Sequence, residues 1–226
     1  MRRTCVSTIL RAVSKAPIFH RSFPSATAAA VTAPLFAGTQ QRLASCAELA
    51  DATRYEMEDE QRRSGKQEKP KVPTGWTLDR KAGERLFTMR KTFEDEEILL
   101  RYRNEITPDD GSPTKYEYTV FITSKGKTLM FDMTYEDGEV LLDHIAFLPD
   151  SALALDESAE AVAKRSVLYG GPDVNELDDN LSNAFLNYLD ARGVNDELGE
   201  FVEAYGLWAE QAEYEAWLSA VHQFVA

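Results

Sequence analysis

Leu177-Asp-Asp-Asn-Leu181-Ser-Asn-Ala-Phe185-Leu-Asn-Tyr188-Leu189-Asp-Ala-Arg192-Gly193-Val194-Asn-Asp-Glu-Leu198 opens the run that ends at Ala226. Apolar residues at Leu177, Leu181, Phe185, Tyr188 and Leu189 recur at helical spacing and predict an amphipathic helix over 176–192. Asn175, with Asp178 three residues on, resembles a capping box at its start. Gly193 suits the left-handed position that closes a helix, because it has no Cβ to clash there, and Val194 then covers the last turn. Asn195 or Asp196 caps a second helix, predicted over 196–225, with Asp196, Glu197 and Glu200 near the positive end of its dipole. Phe201, Val202, Tyr205, Trp208, Trp217 and Leu218 make a wide apolar stripe along it. The result is a helical hairpin that must bury its apolar face on another layer.

That layer is a sheet. Trp76–Arg80, Arg85–Phe93, Glu97–Arg103, Tyr116–Ser124, Thr128–Tyr135 and Val140–Leu148 carry β-favouring residues between turn signals, and Val167–Tyr169 is read as a seventh strand. Asp137-Gly138 is a strong two-residue hairpin signal. It predicts Tyr135 opposite Val140, Met133 opposite Leu142 and Phe131 opposite His144 on one face. On the other face it sets Asp132 directly against Asp143, Met130 against Ile145 and Thr128 against Phe147. Both faces then need at least partial cover. Residues 44–63 favour a helix but are weakly apolar, so this helix is expected to dock on another. The segment 64–75, with Pro70 and Pro73, reads as a linker. Asn104–Lys115 and Pro149–Arg165 read as mobile acidic loops. The expected fold class is α+β, with a seven-stranded antiparallel sheet over 76–170, one N-terminal helix and two C-terminal helices in a single domain, 44–226.

Charge is divided along the chain. The net charge is −13 over 226 residues, but residues 1–47 hold six Lys and Arg and no acid, leaving −19 on the rest. The first 43 residues are rich in Arg, Ser, Thr and Ala, with Arg3, Ser7, Arg11 and Ser14 on one side of a notional helix and Val6, Ile9, Leu10 and Val13 on the other. This is the composition of a mitochondrial transit peptide, expected over 1–43 and removed on import. No stretch reaches the roughly twenty apolar residues of a membrane span. From Ser166 onward the only Lys or Arg is Arg192, against twelve Asp and Glu. Such a surface repels phosphates and favours basic partners.

The wording of the C-terminal run goes beyond an apolar stripe. Tyr188-Leu189-x-x-Arg192-Gly193-Val194, then Glu197-Leu198-x-x-Phe201-Val202-x-x-Tyr205, then Glu213-Tyr214-x-x-Trp217-Leu218, resembles the C-terminal signature of the mitochondrial acidic matrix protein family. Ala209 stands where the family pattern usually has Lys, which makes this helix more acidic than the pattern. The resemblance implies a ring-shaped homotrimer in which the N-terminal and last helices pack as a coiled coil, through Phe201, Tyr205, Trp208, Trp217 and Leu218. It also implies a matrix location and a part in RNA metabolism, since relatives bind complement globular heads and a splicing factor.

Candidate chemistry is thin. Two cysteines, Cys5 and Cys46, make no disulfide framework, and with scattered His144 and His222 they make no metal site. Asp109-Asp110-Gly111 lacks the spacing and closing Glu of a calcium loop. There is no phosphate-binding Gly-rich loop and no Gly-x-Ser-x-Gly elbow. Arg101-Tyr102-Arg103 is the only basic cluster holding an aromatic, too small for strong direct nucleic-acid binding. No catalytic, cofactor or metal residue is therefore predicted. Partner contacts are expected at the acidic loops: Glu94, Asp95, Glu96 and Glu97; Asp109 and Asp110; Asp156, Glu157 and Glu160. The function expected is a non-enzymatic matrix adaptor for basic, RNA-binding proteins. The alternatives are a low-affinity calcium buffer and a metal-dependent hydrolase.

Overall fold

The computed structural model describes residues 35–63, 68–103 and 114–226, with side chains from Ala44 onward. Residues 1–34 of the expected transit peptide, and Asp109 and Asp110, lie outside the described residues. Leu43–Ala226 forms one compact unit.

Among the described residues, six strands make one antiparallel sheet in sequence order: β1 (Thr77–Asp79), β2 (Leu86–Phe93), β3 (Glu96–Arg103), β4 (Tyr116–Ser124), β5 (Lys127–Glu136) and β6 (Glu139–Leu148). Two hairpins turn on Lys125-Gly126 and Asp137-Gly138, whose central residues all have positive φ, the geometry that matches strand twist. One row, Leu78–Met89–Leu100–Val120–Phe131–Ile145, crosses all six strands. Met89, Leu100, Val120 and Phe131 in it are wholly buried. The adjacent row faces the other way and is polar: Arg101–Thr119–Asp132–His144.

The β5–β6 register holds from Tyr135↔Val140 through Met133↔Leu142 and then shifts between Asp132 and Met133. The expected pairs of Asp132 with Asp143 and Phe131 with His144 do not form. Asp143 is the extra residue of a bulge, and Asp132 faces His144 instead. The bulge separates two carboxylates that would otherwise repel across the ladder. Thr134 donates to Asp143 at 2.6 Å and Thr119 to Asp132 at 2.8 Å, while Asp132 Oδ2 lies 3.2 Å from His144 Nδ1. Downstream of it, Ile145 joins Phe131 on the core side, and Ala146 and Leu148 turn to the other.

Two further expectations are corrected. Val167–Tyr169 is not a strand; it follows a helix, and Val167 and Tyr169 are exposed. The segment read as a mobile loop folds into α2 (Ser151–Leu155) and α3 (Ala159–Ser166), capped by Asp150 and Ser158. Its alanines Ala154 and Ala161 are buried, as are Leu99, Phe121, Ala146 and Leu148 on the same sheet face. Part of the second face is thus covered by the chain itself.

The first face is covered by α4 (Asp179–Asp190) and α5 (Asp196–Val225). A 3-10 turn at Val174–Glu176 precedes α4, whose cap is Asp178, so the helix begins after the Asn175 cap read from sequence. Its end follows expectation: Gly193 has φ +73, Gly193 N–H donates to Asp190 O and Val194 N–H to Leu189 O, the paired bonds of a Schellman close. Asn195 caps α5. Gly199 lets α5 sit directly on the sheet, because a Cβ there would come within 2.3 Å of the Tyr135 ring. The N-terminal helix α1 spans Leu35–Arg63, starting before the expected Ala44.

Candidate interaction surface

The one cation of the C-terminal helices is held by the sheet. Arg192 Nε lies 2.6 Å from Glu96 Oε2 and Nη2 lies 3.0 Å from Oε1. Its guanidinium stacks 3.4 Å from the centre of the Tyr188 ring, and the Tyr188 hydroxyl donates to Glu96. Glu96 is therefore a structural carboxylate, with its side chain 15% exposed. Glu94 and Asp95 form the exposed β2–β3 turn, and Glu97 points outward beside them.

Asp156, Glu157 and Glu160 sit around the α2–α3 turn. Asp156 accepts from the Ser158 N–H at 2.8 Å, and that bond, with help from the Ser158 side chain, holds its carboxyl below the usual aspartate range. Glu157 lies 2.8 Å from Arg101, and Glu160 pairs with Lys164 one turn on.

A denser acidic surface lies at the β5–β6 tip. Asp196 accepts from Val140 N–H at 2.9 Å and so pins the start of α5 to the hairpin. Glu136, Asp137 and Glu139 occupy the tip, with Glu136 paired across it to Glu139 on the face opposite Tyr135, while Asp196, Glu200 and Glu203 follow on α5. Tyr135 feels the α5 carboxylates: burial, and then the charges of Glu203, Glu200 and Asp196, push its hydroxyl pKa up. Lys115 is the nearby cation, 3.1 Å from Glu136. Both halves of this surface were visible in the sequence as a hairpin turn and an acidic helix start. Their meeting depends on where α5 lands.

The helix-packing residues divide. Phe201 and Tyr205 are buried on the sheet, with Tyr205 edge-on to Phe87 at 4.8 Å. Trp208 is half-buried, with Lys69 and Arg80 over its ring. Leu218 is buried, but Trp217 is 58% exposed. Side chains of α1 meet α5 farther along: Gln211 donates to Glu60, Tyr214 to Glu56, and His222 Nδ1 lies 3.1 Å from both Thr53 Oγ1 and Ala50 O. A carbonyl accepts only, so His222 carries its proton on Nδ1 to reach it. Beside Trp217 an open groove of about 720 Å³ is lined by Phe87, Ala212, Ala216 and Ala220. Among the described residues no three His, Cys, Asp or Glu converge to hold a metal ion, and no helix is long and apolar enough to cross a membrane.

Residues 48–225 match the family model described as mitochondrial glycoprotein, MAM33. The chain belongs to the mitochondrial glycoprotein family. The match begins where the acid-free N-terminal stretch ends. Among members with curated descriptions, the mitochondrial acidic protein mam33 of Schizosaccharomyces pombe is 32% identical over 137 residues, 59% of this chain and 51% of that protein. The match thus spans about half the length of that relative. Two solved structures of trypanosomatid proteins are more similar. The Trypanosoma brucei p22 protein is 46% identical with TM-score 0.76, over 81% of this chain and all of that one. A Leishmania major protein of unknown function, a sequence homologue of human p32, is 46% identical with TM-score 0.73, over 80% and 99%. The mitochondrial glycoprotein fold, a mixed helix and sheet structure, is therefore shared along most of the chain.

Proposed function

We propose that this chain is a non-enzymatic acidic adaptor of the mitochondrial matrix, which binds basic, RNA-binding proteins and modulates processing, editing or translation of organelle transcripts. The observation that carries the reading is the charge of the C-terminal layer. From Ser166 on the sequence has twelve Asp and Glu against one Arg; that Arg is held by Glu96 on the sheet, and of the carboxylates Glu213 is taken by Arg80. Exposed carboxylates at the β5–β6 tip and on α5 are left to attract a basic segment, and Glu94, Asp95 and Glu97 add to them at the far turn. The RNA-metabolism part rests on the family resemblance, and the mitochondrial location on the names of the family and the yeast relative.

A homotrimer multiplies the effect. The apolar groove beside Trp217 supports assembly, because a second copy would remove it from water. Three copies would present the same acidic surface three times to a multivalent basic partner. The adaptor reading is tested by pull-down from mitochondrial lysate at rising salt. Between about 0.05 and 0.5 M the Debye length falls from roughly 14 to 4 Å, so capture of basic proteins is expected to collapse. Capture that is indifferent to salt would point to an apolar interface and defeat the reading.

A further inference from the structure

The sheet face turned away from α4 and α5 gathers arginines in a chain of net charge −13. Thr88 pairs with Arg101, so Arg90 of β2 lies diagonal to Arg101, and Arg103 lies two residues along the same strand. Positions related in this way are about 7–8 Å apart. Arg165 of α3 completes the group. Burial first, opposed by Glu157, and then repulsion from Arg165, Arg90 and Arg103 pull the Arg101 pKa below its ordinary value. Like charges gathered so closely destabilise the fold unless an anion joins them.

The chain supplies one such anion. Glu157 Oε1 stands 2.8 Å from Arg101 Nε, yet off the line of its N–H, so the buried Nε has no hydrogen-bond partner among the described residues. Arg101 donates to Leu155 O, and Arg165 to Leu153 O and Asp156 O, so these two arginines clamp the α2–α3 turn. Arg90 and Arg103 are exposed, and neither makes a side-chain hydrogen bond or ion pair among the described residues. Clefts open on both sides of the clamp, one of about 560 Å³ lined by Arg101, Arg103 and Lys115, the other of about 330 Å³ lined by Arg90 and Leu155. The larger cleft also holds Glu117, Asp132 and Asp143. Of these, Asp132 is occupied by Thr119 and His144, and Asp143 by Thr134.

We infer that this face binds an acidic peptide segment of another protein, whose carboxylates settle on Arg90 and Arg103 and compete with Glu157 for Arg101. A carboxylate is favoured over a phosphate chain because the anion already seated in the cluster is a carboxylate. The aromatic ring that touches the cluster, Phe121 under Arg101 at 4.9 Å, is buried and offers no platform for a base. The inference goes beyond the adaptor reading and uses the opposite charge on another face, so either can fail without the other.

The test is fluorescence anisotropy with a labelled oligoglutamate peptide, and an RNA oligonucleotide of matched charge as the second probe. At about 0.1 M salt the Debye length is near 10 Å, which screens the remote acidic surface while leaving direct contacts. The full chain is expected to bind the peptide. The double variant Arg90→Glu/Arg103→Glu, at exposed positions and with melting no lower than that of the wild type, is expected to bind it roughly tenfold more weakly. Glu157→Gln removes the internal competitor and is expected to tighten binding about threefold. Absence of peptide binding, or equal binding by the double variant, would overturn the inference. So would tighter binding of the RNA that is lost in the same variant, because the ligand would then be phosphate.

Discussion

Removing the Arg192 side chain would leave the Glu96 carboxylate, only 15% exposed, with its main counter-charge gone. Breaking a largely buried pair by deleting one partner typically costs about 3–5 kcal/mol. Arg192→Ala is therefore expected to lose stability of that order in urea unfolding, and the Glu96→Leu/Arg192→Met double variant to lose less. A single-variant loss below about 1 kcal/mol would class the pair with exposed salt bridges. Asp156 tests a different interaction. Its folded pKa is depressed by the Ser158 N–H. The stabilisation it gives is thus present above the unfolded value, about 3.9, and lost as pH falls through the folded one. An NMR titration is expected to place its midpoint below that value; a midpoint at or above it would remove the Ser158 bond as a cause.

At the scale of elements, the docking of α5 is the most exposed to substitution. Alanine is the better helix former by about 1 kcal/mol, yet at Gly199 its Cβ would meet Tyr135 at 2.3 Å and Val140 at 2.8 Å. Overpacking of this kind costs about 1–3 kcal/mol, so Gly199→Ala is expected to lower the melting temperature. Gly206→Ala, whose Cβ would come 3.0 Å from the Tyr102 hydroxyl, is expected to be milder. Equal stability of both variants with wild type would mean that α5 does not need this close approach. Local signals read these elements well where one short-range rule decided. The Asp137-Gly138 turn, the Gly193 close and a cap at Asn195 or Asp196 were each legible from a few residues. The β5–β6 bulge was not, because it answers to a cross-strand conflict between Asp132 and Asp143 that appears only once the strands are paired. The α2–α3 segment was read as loop for a related reason: its alanines look indifferent until α2 lies against β4, β5 and β6. Val167–Tyr169 carried β-favouring residues but no partner strand. The candidate site was legible as charge and not as place: Glu96 and Glu157 look like their acidic neighbours in the sequence, and only the fold sets Arg192 and Arg101 against them.

At the scale of the whole molecule, α5 keeps part of its length uncovered. Its sheet-facing residues are buried, and α1 reaches Gln211, Tyr214 and His222, but Trp217 is 58% exposed and Phe224 90% exposed. A side chain so placed contributes little to one copy. Trp217→Ala should then cost well under the roughly 3–5 kcal/mol of a fully buried tryptophan if the protein is a monomer. If three copies cover the groove, the same substitution should cost much more. The loss would then appear as dissociation, with a melting temperature that rises with protein concentration. The trimer proposal therefore expects light scattering to give about three times the 25.4 kDa of the full chain, and Trp217→Ala to lower that mass at low concentration. A mass near that of one chain would defeat it. A trimer indifferent to Trp217→Ala would place the interface elsewhere than the groove. Removing residues 44–63 separates the remaining possibility, since a truncated chain that stays trimeric with unchanged melting would confine α1 to contacts within its own subunit.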